Sequence, residues 1–289
     1  MLAHFPEAAR VVEALILYLP QRQRPRLQHL VRRHRLRRYL KHRLGTRFTP
    51  VDPGPAAPPE LVVQTSVLNK HDLPAAAAPD AYFAGGYLGS LMHLTTVERF
   101  GFDLKAATAV LDFGCGAAKN TRLLRGIRGL RVVGTDVNAA QIEWAREHVP
   151  GIEFHVNDRE PPLRFVEDES FDLVTAASVF THIPLDLQRP WLAEIRRILR
   201  PGGYFLCTVA GAHHIRLQLS TELRHQLSRE GHVTLTAADP GVSYATKAAG
   251  SWDVFQTREE VQRSFGSVFE VLSYSASETG QDTLVLRRP

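Results

Sequence analysis

Short apolar runs alternate with segments of helical periodicity from about Thr108 to the end of this 289-residue chain. The apolar runs cover residues 108–111, 130–134, 152–155, 171–176 and 203–209, and helical patterns occupy 119–125, 139–148 and 187–199. Strands that alternate with helices form parallel sheets, because each crossover helix packs back onto a face of the sheet. The run at 171–176 is almost continuously apolar, as expected for a strand buried on both faces.

The C-terminal part of the chain predicts a different connection. A helical pattern at 257–265 precedes two strand-like runs at 269–275 and 283–287, and the short segment between these runs contains Gly280. So short a connection favours an antiparallel return. The sequence therefore predicts an α/β fold with a doubly wound, mostly parallel sheet of seven strands and an antiparallel edge.

The composition is that of a folded protein from a reducing compartment. Hydrophobic residues make up 44% of the chain, which excludes disorder throughout. The two cysteines, Cys115 and Cys207, are far apart and have no metal-ligand spacing. We therefore expect a cytoplasmic protein without a disulfide framework or a bound metal. We divide it into a basic helical appendage at 1–47, a Pro/Ala-rich linker at 48–80 and a main domain at 81–289.

Positive charge is concentrated near the N-terminus. Residues 21–47 hold ten Arg and one Lys and no acidic residue, so they carry +11 in a chain whose net charge is +5. The periodicity predicts helices at 7–19 and 25–44, and the apolar run at 11–19 is too short to span a bilayer. The segment from Arg22 to Arg47 either is solvated or packs on the acidic body, or it binds an anionic membrane surface or nucleic acid. Binding to lipid would make the protein peripheral at the membrane.

Glycine and acidic residues follow the predicted strands, at the edge where doubly wound sheets bind ligands. The first strand leads into Asp112-Phe113-Gly114-Cys115-Gly116, whose glycines let the backbone approach a ligand closely. A dinucleotide fingerprint would need a third glycine at position 119, which is occupied by Lys119. The Asp112 carboxylate suits a cationic ligand rather than a pyrophosphate. Asp136 ends the second strand, where a carboxylate can accept hydrogen bonds from a ribose diol. Asn157-Asp158 follow the third.

Each of these residues also has a purely structural interpretation. Gly114 and Gly116 could serve only a tight turn, and Asp136 could cap the helix that begins near Ala139. Cys115 is expected to be a small residue that fits the turn. We favour a ligand site because acidic residues follow three successive strands.

Residues 100–289 resemble the class I S-adenosylmethionine-dependent methyltransferases in the order and spacing of five motifs. The resemblance implies a Rossmann-like methyltransferase fold in which the Asp112–Gly116 loop cradles the methionine part of S-adenosylmethionine. It implies that Asp136 holds the ribose hydroxyls, that Asp158 binds the adenine amino group, and that S-adenosylhomocysteine is the product. The cofactor-binding residues expected on this basis are Asp112, Phe113, Gly114, Cys115, Gly116, Asp136, Val137, Asn157, Asp158 and Ser178.

A narrower resemblance concerns the second half of the chain. The chain is similar to a group of bacterial small-molecule methyltransferases at residues 178–182, at residues 191–195 and at Gln281-Asp282. That group is often associated with glycan, lipid or secondary metabolism. The first 80 residues depart from its pattern.

Methyl transfer to oxygen or nitrogen usually requires removal of a proton from the acceptor, and a neutral histidine suits that role. His182 follows the fourth predicted strand and is our first candidate for the base. His213 and His214 follow the fifth strand and are the other candidates. Alternatively, His182 is a helix-start residue that fills the cofactor pocket or bonds the backbone before Pro184.

A long connection at 212–256 separates the fifth strand from the next predicted helix. Residues 215–229 within it have helical periodicity, and the rest is loop-like. Such an insertion can close over the acceptor, with Tyr244 and Trp252 as flat apolar faces or, alternatively, as anchors of the loop. Tyr82 and Tyr87 are expected on the opposite wall, near the cofactor.

The region after the fourth strand contains neither a Pro-Pro-aromatic turn nor a cysteine, which disfavours methylation of DNA bases. We therefore predict S-adenosylmethionine-dependent methyl transfer to an oxygen, or less favourably a nitrogen, of a small molecule that is glycan or lipid-linked. One alternative is an RNA or protein methyltransferase that uses the Arg-rich arm. Another is a non-catalytic cofactor-binding or scaffold protein.

Overall fold

The computed structural model describes residues 24–58, 61, 78–236, 239, 252–278 and 280–289. The predicted helix at 7–19 and the candidate Tyr244 lie outside these residues. Helices and strands are numbered here in chain order. They are α1 (Arg24–Leu44), α2 (Ala78–Arg99), β1 (Ala109–Phe113), β2 (Arg131–Asp136), α3 (Ala139–His148), β3 (Glu153–Val156), β4 (Phe171–Ala176), α4 (Leu185–Ile198), β5 (Leu199–Val209), α5 (Ala212–Gln218), α6 (Thr221–Glu230), β6 (His232–Thr236), β7 (Trp252–Gln256), α7 (Arg258–Gly266), β8 (Glu270–Ser275) and β9 (Asp282–Arg287).

Seven strands form one sheet in the order β3-β2-β1-β4-β5-β9-β8. The first five pair in parallel, whereas β9 runs antiparallel to both of its neighbours, β5 and β8. The strand order reverses between β1 and β4, so the carboxyl ends of these two strands border the crevice where such sheets bind ligands. The predicted fold class is confirmed.

The sheet is covered on both faces because its central strands are apolar on both sides. All five residues of β1 are buried. Leu111 belongs to one core cluster with Trp191 of α4, whereas Val110 belongs to the opposite cluster with Leu94 of α2. The near-continuous apolar runs thus mark strands between two helical layers, as expected.

The Arg-rich helix α1 packs on α2. Four apolar side chains of α1 recur at helical spacing and are buried in the same core cluster as Leu91 of α2. They are Leu36, Tyr39, Leu40 and Leu44. Arg43 of α1 donates to the Glu98 carboxylate of α2 (Nη2 to Oε1, 2.7 Å), and the Tyr39 hydroxyl donates to its other oxygen. Among the interpretations of the Arg-rich segment, packing on the body describes residues 26–47. The side chains of Arg26, Arg38 and Lys41 remain exposed.

Two leucines of α1 test this packing. Leu40 is 0% exposed and Leu30 is 51% exposed. We expect Leu40→Ala to lower the free energy of unfolding by about 3 kcal/mol, since it leaves a cavity in the core. Leu30→Ala, the same change on the same helix, should alter stability by less than about 0.5 kcal/mol. Urea unfolding of both variants checks the difference, and equal effects would contradict the packing of α1.

The segment after β1 differs from its prediction. The sequence predicts a helix at 119–125, whereas the chain forms a 3₁₀ turn at Thr121–Gly126. Ala118 adopts a left-handed conformation (φ 59°), and the Thr121 hydroxyl donates to the Asp112 carboxylate. These tertiary contacts outweigh the local helical pattern.

The insertion between β5 and α7 is more ordered than the sequence predicts. The single helix expected at 215–229 is two helices, α5 and α6, because Ser220 caps the second by accepting from the Leu223 amide (3.3 Å). The loop-like remainder contains the antiparallel pair β6–β7. The alternation of Val233 and Leu235 with polar residues in β6 is the overlooked signal.

No helix in the described part of the chain is both long and apolar enough to cross a membrane.

Candidate active site

The loop after β1 lies against the carboxyl end of β2. The Gly114 and Cys115 amides both donate to the Thr135 carbonyl (2.7 and 3.0 Å). Gly114 has a φ of +74°, and a Cβ there would lie 2.3 Å from Cγ2 of Val179. Glycine is thus required both by the backbone conformation and by the approach of the loop that follows β4.

Asp112 is buried at the base of this loop. Its Oδ1 accepts from Thr175 of β4 (2.9 Å), and its Oδ2 accepts from Thr121. Burial raises the pKa of Asp112, while these two hydrogen bonds oppose the shift. The side chain therefore ties β1 to β4 and to the turn after the glycines.

Phe113 and Cys115 turn their side chains into the protein. Phe113 is buried against Trp191, with ring centroids 4.7 Å apart. Cys115 is buried against Gly134, and burial raises the pKa of its thiol well above the usual value. Both residues offer a ligand only their backbone, and Cys115 is placed as a small residue that fits the turn.

Asp136 ends β2 opposite the glycine loop. Its Oδ2 accepts from the Gly116 amide (2.8 Å) and its Oδ1 from the Asn138 amide (2.9 Å). Burial raises the pKa of Asp136, against the effect of these hydrogen bonds. Asn138, not Asp136, caps α3 by accepting from the Gln141 amide (3.2 Å). Each Asp136 oxygen keeps a second lone pair for a ligand hydroxyl.

The residues around Asp136 complete this side of the crevice. Val137 is 51% exposed, and the Asp158 side chain is exposed as well. Asn157 is buried, accepts from the Thr135 hydroxyl (2.7 Å) and donates from Nδ2 to the Asp158 carbonyl (2.7 Å). The structure thus brings the ends of β2 and β3 together, with Asn157 as a link between them.

The loop after β4 carries Ser178 in a left-handed conformation (φ 59°). The Ser178 amide donates to Oγ1 of Thr208 at the end of β5 (2.7 Å), and its hydroxyl donates to Oε1 of Gln281 (2.9 Å). Gln281 is not among the site residues predicted from the sequence. The feature that could have indicated Gln281 is its position directly before β9. An antiparallel strand begins at the edge of the sheet where its parallel neighbours end, so Gln281 lies at the same edge as Ser178.

His182 lies at the end of the same loop. Its Nδ1 is 2.8 Å from the Trp252 carbonyl and 3.3 Å from Oδ1 of Asp253. The Val254 amide donates to the Thr181 carbonyl (2.8 Å), which fastens β7 of the insertion to this loop. The loop reaches the glycines as well, because Val179 packs against Gly114. His182 is therefore held between the insertion and the glycine loop.

The two other candidate bases lie on α5. The rings of His213 and His214 contact each other edge to face, with ring centroids 5.5 Å apart. Nδ1 of His214 is 3.2 Å from the Gly280 carbonyl. Burial lowers the pKa of His214, while the nearby Asp282 and Asp253 oppose the shift. His214 therefore borders the same region as His182.

The candidate aromatic residues lie in three different places. Trp252 is beside His182, with the Arg159 guanidinium over its ring (5.9 Å). The Tyr82 hydroxyl is buried and donates to the Ala117 carbonyl (2.8 Å), and burial raises its pKa to about 12. Tyr87 is buried between α1 and α2 and stacks on His29. Only Trp252 of these three is placed at the edge with His182.

Among the residues whose structure is described, no group of His, Cys, Asp or Glu could hold a metal ion.

Comparison with known proteins identifies the central part of this arrangement. Residues 111–207 match the family model for a methyltransferase domain. A probable phthiotriol/phenolphthiotriol dimycocerosates methyltransferase 2 of Mycobacterium ulcerans is 37% identical over 122 residues, which are 40% of this chain and 43% of that protein. Methyltransferase GfsG of Streptomyces halstedii is 36% identical over 105 residues, 35% of this chain and 37% of that protein. The chain thus spans less than half the length of these relatives.

The fold also has counterparts among solved structures. A protein of Pyrococcus horikoshii superposes with a TM-score of 0.51 at 19% identity, covering 70% of this chain and 92% of that one. The strand order, the glycine loop and the match over residues 111–207 agree with one another. Residues 111–207 therefore form a methyltransferase domain of the class I S-adenosylmethionine-dependent type.

Proposed function

We propose that this protein transfers a methyl group from S-adenosylmethionine to a hydroxyl oxygen of a small glycan or lipid-linked acceptor. The observation that carries the proposal is the position of His182, whose Nδ1 faces two oxygens while its loop packs on the glycine loop. A relative named for methylation of phthiotriol dimycocerosates supports the lipid-linked class.

The residues at the crevice fit the cofactor. Both oxygens of Asp136 retain an acceptor position for a ribose hydroxyl, and the exposed Val137 offers an apolar surface beside it. Gly114 has no side chain and lies close to Val179. The backbone of the glycine loop is therefore the surface against which the methionine part of S-adenosylmethionine would lie. When bound, S-adenosylmethionine supplies a methyl group already activated on a sulfonium sulfur.

The chain itself has to orient the acceptor, exclude water and accept a proton. The Nδ1 hydrogen of neutral His182 is directed at the Trp252 carbonyl, so Nε2 carries the free lone pair. That nitrogen can take the proton of an acceptor hydroxyl. The insertion forms one wall of the crevice, because Val254 is bonded to Thr181.

The alternatives remain distinguishable from this proposal. A macromolecular methyltransferase would use the exposed cations of α1, and reversal of Arg38 and Lys41 to Glu would abolish salt-sensitive RNA binding. Deletion of the whole basic segment, residues 1–47, would not test RNA binding alone, because it would also remove Leu40 and its neighbours from the core. A non-catalytic protein would bind the cofactor without turnover.

The test is transfer of labelled methyl from S-adenosylmethionine to sugars, lipid-linked phenols and alcohols, RNA and protein. We expect label in a hydroxyl-bearing small molecule, and a roughly 100-fold lower kcat in His182→Gln, as for loss of a general base. His225→Gln, at an exposed histidine of α6, is the matched control and should keep kcat within about twofold. Label in RNA or protein alone, or full activity of His182→Gln, would contradict the proposal.

A further inference from the structure

We propose that Asp253 is the residue that positions His182 for proton removal and stabilises its charged form. This inference rests on the proposed role of His182 as the base. The Asp253 carboxylate lies 3.3 Å from Nδ1 of His182 and is itself almost fully buried, with 5% of its surface exposed. A carboxylate beside Nδ1 acts on the imidazole ring of His182 without contacting the methyl acceptor.

The backbone fixes Asp253 relative to His182. Val254, the residue after Asp253, donates to the carbonyl of Thr181, the residue before His182 (2.8 Å). One residue further on, Phe255 forms a β-bridge with Ala210 at the end of β5. On its other side β7 is paired with β6, where Asp253 is in register with Leu235. The carboxylate is therefore carried on a strand that is held on both sides.

The contacts of His182 define which ring nitrogen carries hydrogen. The Trp252 carbonyl and the Asp253 carboxylate both lie within reach of Nδ1, and neither can donate to it. Nδ1 must then be the protonated nitrogen of the neutral ring, and Nε2 the acceptor. The hydrogen bond to the Trp252 carbonyl sets the tautomer, and the Asp253 carboxylate places negative charge beside the same nitrogen.

The charge balance of the reaction explains the need for a carboxylate. As the acceptor oxygen bonds to the methyl carbon, the carbon–sulfur bond breaks with its electron pair left on sulfur. The hydroxyl proton passes to Nε2, so His182 becomes an imidazolium. A carboxylate 3.3 Å away in a buried position stabilises this charge more strongly than a carbonyl does.

A second buried carboxylate, Asp282, lies in the same region. Asp282 accepts from the Tyr274 hydroxyl (2.8 Å) and from the Ser277 amide (2.9 Å), and it packs against Gly211. These contacts tie the start of β9 to the end of β8 and to α5. Of the two, Asp253 is the carboxylate that faces His182.

The tautomer is tested without turnover by NMR of the ¹⁵N-labelled full chain, with His182→Gln used to assign the ring signals. In wild type we expect the neutral ring of His182 to carry its hydrogen on Nδ1. A dominant Nε2–H form in wild type would overturn the inference, whatever the activity of the protein.

The charge is tested by the isosteric change Asp253→Asn. We expect kcat to fall about 30-fold with an unchanged KM and an unchanged affinity for S-adenosylhomocysteine, because the carboxylate acts on the transition state. Asp239→Asn, at an Asp whose carboxylate accepts from the Thr236 amide and hydroxyl within the insertion, should leave kcat unchanged. Loss of kcat in His182→Gln but not in Asp253→Asn would overturn the role of Asp253 alone. Full activity of both variants would instead refute the base.

Discussion

Asp136→Ala is expected to weaken binding of S-adenosylmethionine by about 1,000-fold. The reason is the loss of two charge-assisted hydrogen bonds to ribose hydroxyls, each of which contributes about 2 kcal/mol. The carboxylate also holds the glycine loop in place, since it accepts from the Gly116 amide. Calorimetric titration with S-adenosylmethionine and S-adenosylhomocysteine measures the effect.

Two further variants separate the ribose contact from the support of the loop. Asp136→Asn retains one carbonyl oxygen but no charge, and it should bind with an affinity between those of wild type and Asp136→Ala. Glu143→Ala removes an exposed carboxylate from the neighbouring helix α3 and should bind normally. Wild-type affinity in Asp136→Ala would show that the cofactor lies elsewhere.

Arg122→Met is expected to lower the free energy of unfolding by about 4 kcal/mol. Arg122 is 0% exposed and has no carboxylate partner in the described structure. Its guanidinium donates to the carbonyls of Pro53, Pro55, Ala117 and Ala118 and to the Tyr82 hydroxyl, and it lies over the rings of Tyr82, Phe83 and Trp144. Methionine would remove all of these side-chain hydrogen bonds from a buried site.

Because Ala117 and Ala118 follow the glycine loop, Arg122 also fixes the cofactor side of the fold. Arg122→Lys should recover little stability, since an ammonium cannot reach carbonyls on opposite sides as the planar guanidinium does. Arg125→Met is the matched control, because Arg125 is half-buried and, among the described residues, donates one long hydrogen bond, to the Pro150 carbonyl (3.4 Å). Urea unfolding should show a loss below about 1 kcal/mol for Arg125→Met. Equal losses in the two methionine variants would contradict this role of Arg122.

Tyr82 illustrates how the sequence predicts the neighbourhood of a residue but not the partners of its side chain. Its position before the first strand brings it close to the cofactor loop, but its hydroxyl is directed at Ala117 and Arg122. Tyr87, five residues further on, faces the opposite side of α2 and packs on His29 of α1. Which face of α2 meets which neighbour depends on α1, a segment more than 50 residues away in sequence.

The seven strands of the main sheet, their mostly parallel arrangement and the loop of Gly114 and Gly116 were predictable from local patterns, because apolar periodicity and glycine act over a few neighbouring residues. The position of Asp136 at the end of a strand was predictable for the same reason. The contact of Gln281 with Ser178 and the position of Asp253 behind His182 depend on tertiary packing. These partners are 103 and 71 residues apart. Their meeting depends on how β9 and the insertion pack on the sheet, which no local pattern encodes.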